Sequence, residues 1–368
     1  MKLFRQKLRT SFVALLSSAA LFGLVSQSAL AAGTASGTSI SNQATVNYTV
    51  GATAQPAVTS TAATFLVDNK VDMTLTSTGA TVVPGSTKQA LAFVLTNTGN
   101  TSQRYALSAV AGASTLTTAL TNVAIYLDNG TTPGVWDAGD TLYADASTFG
   151  DVAAGNALNV LIVADFPAPD TNGQTAAYNL QATTVNAGTT TVTSATGAVP
   201  DNPAAVDVVF ADAAGTVAGD IASDGKLSAS ATYTVNAASV TISKNAVVYS
   251  DPVNGVSANA KAIPGAVITY TITVSNAAGG ADATSVAITD SLAAEIAAGH
   301  LAFNTQFGDA ANTCAAAQGI VVNGTCNTNA SGDDNGDWNA TTANTVTVSG
   351  LTVTAGSSAT IKFQATVQ

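Results

Sequence analysis

The chain has 368 residues, of which 9 % are charged, and a formal net charge of −11. Its 22 acidic residues against 11 basic ones disfavour nucleic acid, whose phosphates need Lys and Arg, and disfavour anionic lipid. Low charge with abundant Thr, Val and Ser is poor for surface helices and good for strands.

Residues 1–31 read as a secretory signal peptide. Lys2, Arg5, Lys7 and Arg9 precede the apolar run "SFVALLSSAALFGLVS", and Ala29 and Ala31 form a small-residue cleavage site. The alternative is a membrane anchor, but the run is shorter than the roughly 20 residues that span a bilayer. Cleavage removes four bases and no acid. Seven bases then stand against 22 acids, leaving −15. Such a chain suits a secreted, extracellular or cell-surface protein that is not inserted in a membrane after cleavage. It also suits one that meets divalent cations.

Residues 32–68 form an N-terminal strand segment. "GTSISNQATVNYTVG" (37–51) places Ile40, Asn42, Ala44, Val46 and Tyr48 at alternate positions, the period of a strand. Nothing before it supplies a partner. It pairs either with 58–67 of its own chain or with an open sheet edge of another molecule.

Residues 69–237 read as a first β-sandwich domain and 238–368 as a second. Alternation recurs in "DMTLTST" (72–78), "ALAFVLTNTG" (90–99), "VITYTITVSN" (267–276), "NTVTVSG" (344–350) and "TIKFQATV" (360–367). The fold class is all-β: tandem Ig-like sandwiches with an N-terminal extension strand. "DSLAAEIAAGH" (290–300) alone looks helical, with Asp290 or Ser291 as cap and Gly299 as stop. A repeat is visible. Pro84-Gly85 and Pro264-Gly265 each precede an alternating strand that ends in Asn, at Asn97 and Asn276. Pro-Gly fits a type II turn, and the Asn can bond the following turn. These residues therefore have structural work.

Two acidic loops could hold calcium, which takes six to eight oxygens. The first carries Asp128, Asn129, Asp137 and Asp140. The second, "SGDDNGDWN" (331–339), carries Asp333, Asp334 and Asp337 beside Asn335. The first has no EF-hand frame, and self-solvating acidic turns are the other reading of both. Asp212, Asp220 and Asp224 make a weaker set. Cys314 and Cys326, in an exported chain, read as a disulfide. A metal pair would need more soft ligands than the single His300 adds.

"ISKNAVV…AIPGAVITYTITVSNAAGGADATSVAITDSL…LAF" resembles the domain-of-unknown-function-eleven repeat, an Ig-like module of bacterial and archaeal surface proteins. The matching positions are Lys244, Pro264-Gly265, 269–276, Val286 and 290–292, with Ala293 where the family has Pro. The resemblance covers 239–368 well and the first domain loosely. It implies a sandwich fold and a surface location, and leaves function open. It also implies a final segment of the form I-x-N-x-A-x-V-x-Y after "FQATV". That pattern stands instead at 40–48, which raises donation of the N-terminal strand to a neighbour. Some surface modules carry a Lys–Asn or Lys–Asp isopeptide bond. Lys244 sits where its nucleophile would, but the last strand offers no Asn or Asp.

No catalytic residues are expected. With one His, a Ser-His-Asp triad depends on His300, and two Trp, Trp136 and Trp338, make a thin sugar platform. The sequence therefore reads as a secreted structural or adhesive protein of the cell surface or extracellular matrix. It would be a fibre subunit joined head to tail by its N-terminal strand. Its partners would be copies of itself or other matrix components. The alternative is a calcium-dependent polysaccharide- or ligand-binding module. No cofactor other than calcium is implied.

Overall fold

The computed structural model describes residues 33–197 and 200–368. The signal peptide expected over 1–31 lies outside the described residues. The chain is all-β, in two successive sandwiches preceded by a two-stranded ribbon. The ribbon's outgoing arm is β1 (Ser39–Asn42), β2 (Thr45–Val46) and β3 (Thr49–Val50). Its return arm is β4 (Thr53–Ala54), β5 (Val58–Thr59) and β6 (Ala63–Leu66). β1 pairs with β6, β2 with β5 and β3 with β4, all antiparallel. The N-terminal strand thus folds back on its own chain.

The first sandwich holds β7 (Asn69–Val71), β8 (Met73–Thr78), β9 (Ala80–Val82), β10 (Gln89–Asn97), β11 (Gln103–Ser114), β12 (Thr121–Leu127), β13 (Thr141–Leu142), β14 (Ala157–Asp165), β15 (Thr175–Asn186), β16 (Val208–Phe210) and β17 (Lys226–Val235). One sheet runs β13-β12-β14-β10-β8 and the other β11-β15-β17-β9. Alternation in β10 sends Leu91, Phe93 and Leu95 inward, where they meet Val160, Ile162, Leu180, Leu227 and Tyr233. β16 pairs with β7 in parallel, which ties residues 208–210 to the start of the same domain.

The second sandwich holds β18 (Val240–Ser250), β19 (Val267–Asn276), β20 (Ala283–Ser291), α1 (Ala293–Ala297), β21 (Leu301–Phe303), β22 (Ile320–Val322), β23 (Thr325–Asn327), β24 (Gly336–Trp338), β25 (Thr345–Val353) and β26 (Ser358–Val367). Its sheets run β18-β19-β26-β22-β23, with β21 also on β26, and β20-β25-β24. Ile272, Val348, Ile361 and Phe363 fill its core.

The repeated turns behave as their residues require. Gly85 and Gly265 take φ of +77° and +85°, the left-handed value that a type II turn demands after Pro. Asn97 and Asn276 are buried, each bonded three ways to backbone. The helix over 290–300 is shorter than its pattern suggests. Asp290 does not cap it, because that carboxylate turns inward to Lys244 at 2.6 Å. Leu292 holds the cap position with no side-chain bond, and the Ser291 hydroxyl accepts from the Ala293 amide. His300 sits exposed beside Glu295.

The ribbon and the second sandwich attach to opposite ends of the first. At the ribbon's root the Gly37 amide donates to Val67 and the Ser36 amide to Asn100, just past the C-terminal end of β10. Asn100 in turn donates to the carbonyls of Thr34 and Asp68. The second sandwich follows β17. Near that end the Tyr233 hydroxyl donates to the carbonyl of Gln89, the first residue of β10. At about 3.3 Å per residue the nine residues of β10 hold the two attachments roughly 30 Å apart.

Candidate functional site: the exposed ribbon and two sheet edges

Every residue of the ribbon's strands is exposed except Leu66, which is half-buried. Cross-strand partners lie on one face of a sheet. Ile40 stands opposite Phe65 and Val46 opposite Val58, and alternation adds Ala44, Tyr48 and Val50 to that face. Val46 and Val58 are 56 % and 53 % exposed, so none of the described residues packs on this apolar face. Ala63 faces Asn42 on the same side. On the opposite face Thr45 bonds Thr59 at 3.2 Å and Thr64 donates to Ser41, so the hydroxyls there partly satisfy one another. The expected assembly positions Ile40, Asn42, Ala44, Val46 and Tyr48 are thus brought onto one side of a ribbon. Their contribution from the return arm, Val58 and Phe65, was not read from sequence. The alternation of 58–66 is broken by residues that the paired register accommodates as bulges.

The second sandwich has two bare edges on one side. β18 and β20 each end their sheet. The Lys244–Asp290 pair links them, and the Lys244 ammonium lies 4.6 Å from the centre of the Tyr270 ring and 5.6 Å from that of Phe363. Lys244 therefore marks the inward face of β18. Period two places Val240 and Ile242 on that same face, yet Ile242 is 65 % exposed. Lys244 finds its carboxylate on β20 rather than on the last strand.

The acidic loops spend their oxygens on their own backbone. Asp140 accepts from the amides of Asn129, Gly130 and Asp137. Asp137 accepts from Thr131, Thr132 and Gly139, Asp128 from Gly134, and the Asn129 side-chain oxygen from Thr141. In the second loop Asp333 and Asp334 face Thr328, while Asp337 turns to Thr341. Asp212, Asp220 and Asp224 are bonded in the same local way. Among the described residues no three of His, Cys, Asp and Glu converge as a metal-holding group.

These bonds set the acid response. The Gly139 amide holds Asp137 below the usual carboxylate range, the Ser147 hydroxyl Asp145, the Gly188 amide Asp151, the Asn122 side chain Asp165 and the Asn254 side chain Asp251. A carboxylate with a lowered folded pKa stabilises the fold above its unfolded pKa, and that stability is lost as pH falls through the folded value. Burial pushes Asp212 up, so its contribution runs the other way, present at low pH and lost as pH rises. The lowered group outnumbers it. The thermal midpoint is expected to be flat down to about pH 5 and to fall below about pH 4. Calorimetry across that range checks this, and a midpoint that climbs on acidification contradicts it.

Cys314 and Cys326 are joined by a disulfide with a Cα–Cα separation of 5.7 Å, packed with Phe307 and Val321. Closing a loop of 12 residues' separation constrains the unfolded chain. Cys314→Ser with Cys326→Ser is expected to cost about 2–3 kcal/mol, read as a shifted urea midpoint. Two shallow recesses, near 250 and 460 Å³, are lined by neutral residues, among them Tyr249, Asn304 and Gln364 in one and Met73, Thr216 and Ser228 in the other. Neither carries a nucleophile with a base. No described helix is long and apolar enough to cross a membrane.

No protein-family model matches the chain, and no curated protein does. Among solved structures, the chain is similar to the C-terminal domain of the AgI/II polypeptide BspA of Streptococcus agalactiae. Identity is 9 % and the TM-score 0.31, over 80 % of this chain and 91 % of that one. It is also similar to the full-length major pilin RrgB of Streptococcus pneumoniae. There identity is 14 % and the TM-score 0.21, over 81 % of this chain and 45 % of that one. Overlaps of this size carry no argument about what the chain does.

Proposed function

We propose that this chain is a secreted structural or adhesive protein of the cell surface or extracellular matrix, and that it is a fibre subunit joined head to tail through its N-terminal segment. The observation that carries this reading is the ribbon. It projects from one end of the first sandwich with its apolar face uncovered. Uncovered strand edges and apolar faces favour addition of another chain. A contact between unlike surfaces at opposite ends of a molecule does not close on itself and makes filaments.

The test is negative-stain electron microscopy of the secreted chain beside Val46→Asp with Val58→Asp, each with and without Ca²⁺. Filaments from the wild type alone support the proposal. Dispersed molecules in every sample reject it and turn the search to the calcium-dependent ligand-binding reading.

A further inference from the structure

We infer that the seat for the ribbon is the open side of the second sandwich, between β18 and β20, on another copy of this chain. This rests on the fibre reading above and identifies the surface it needs. The first sandwich supplies the template. Asn97 pairs with Met73 and Asn276 pairs with Val240, so β8 and β18 hold the same place in the repeat. β11 and β20, the strands that follow each Asn, correspond likewise. In the first sandwich β11 pairs with β15, and β15 with β17, antiparallel. In the second, β25 and β24 lie on the side of β20 marked by the Ala283–Val353 pair, which matches the Gln103–Val152 pair at the start of β11. On the other side of β20, where β15 and β17 stand in the first sandwich, no strand lies among the described residues.

The consequence shows residue by residue. Met73 is 1 % exposed, and its counterpart Val240 is 47 % exposed. Leu75 packs against the first core, and its counterpart Ile242 is bare. What covers β8 is the antiparallel β15-β17 pair at the middle of the facing four-stranded sheet, carrying Leu180, Leu227 and Tyr233. What the N-terminus displays is a two-stranded antiparallel ribbon with one apolar face. The donated unit is thus the whole hairpin, not a lone strand. It need not unpair before docking. It sets its apolar face on Val240 and Ile242 and aligns one arm with the free amides and carbonyls of β20, in the manner of β-augmentation.

Charge agrees. Residues 33–67 contain no Asp, Glu, Lys or Arg. The charges on the groove floor, Lys244 and Asp290, already neutralise each other. Docking therefore buries no unpaired charge, in a chain whose acidic surface otherwise keeps copies apart. The ribbon's root and the second sandwich lie at opposite ends of the first, so each copy offers a plug at one end and a socket at the other.

The experiment uses two full-length secreted variants, Ile242→Asp in the groove and Val46→Asp with Val58→Asp on the ribbon. All three positions are exposed, and unchanged circular dichroism and thermal midpoints confirm folding. Light scattering is expected to find the wild type polymeric and each variant monomeric. Mixed in equal amounts, the two are expected to form dimers and stop. The ribbon variant keeps its groove, the groove variant keeps its ribbon, and the joint they make has no further intact pair. If Ile242→Asp polymerises like wild type while the ribbon variant does not, the groove assignment fails and the fibre reading stands. Two monomeric variants that give no dimer on mixing also overturn the groove. A wild type that stays monomeric at every concentration overturns both.

Discussion

Asn276→Ala is expected to destabilise the second sandwich by about 3–5 kcal/mol, and Asn97→Ala the first by a similar amount, because each buried partner left unsatisfied costs about 1–3 kcal/mol. The Asn276 side-chain amide donates to the carbonyls of Ala281 and Val353, and its oxygen accepts from the Ser239 amide. The Asn97 amide donates to Thr101 and Val152, and its oxygen accepts from Gly99. Each side chain thus ties the end of one sheet to the other and closes the turn between. Alanine removes all three bonds and puts nothing in their place. Aspartate is expected to be worse than its size implies, since it sets an oxygen against two carbonyls. The two Trp allow the domains to be followed apart. Trp136 lies in the first and Trp338 in the second, so urea melts in Trp136→Phe and Trp338→Phe backgrounds separate them. A loss under about 1 kcal/mol in both would show that the turn closes without the side chain.

Phe363→Ala is expected to cost the second sandwich about 4 kcal/mol, the range for deleting a buried ring. Phe363 is fully buried on β26, which pairs with β19 on one side and with β21 and β22 on the other. Its ring stacks on Tyr270 at 5.1 Å and lies 6.2 Å from Phe303, which itself stacks on Trp338 at 4.0 Å. The loss therefore opens a cavity and unseats an aromatic row. Urea denaturation followed by Trp338 emission measures both effects. An unshifted emission maximum with a midpoint near wild type would mean that the neighbouring rings collapse into the space. Phe363→Leu should recover more than half of the loss.

Periodicity made much of this fold readable. β10, β19 and β26 alternate because one face of each meets a core, and the Pro-Gly pairs and terminal Asn residues have few conformations to choose from. What escaped the sequence depends on contacts between distant segments. Asp290 carries the features of a helix cap, but Lys244, far back in the chain, claims it. The carboxylates of 128–140 have the composition of a cation loop. Which way their oxygens point is decided by loop amides whose directions no spacing records. The ribbon's outgoing arm was legible as a strand, whereas its partner was one of two options until the return arm was seen. The bare face of β18 was invisible. Met73 and Val240 occupy like positions in like strands, and only the strand beyond each neighbouring sheet edge makes one buried and the other exposed.

The placement of the two attachments has a mechanical consequence. The ribbon is rooted past the C-terminal end of β10, and the second sandwich leaves from beside its first residue. Tension between them runs along the strands of the first sandwich rather than across them. A pull along paired strands loads the backbone bonds of β8, β10 and β14 together, in shear. A pull across them would peel those bonds one after another. With a load shared among many bonds, the first sandwich yields only when a whole ladder slips at once. A molecule anchored in this way is a link that transmits force, and its own strands are the load path.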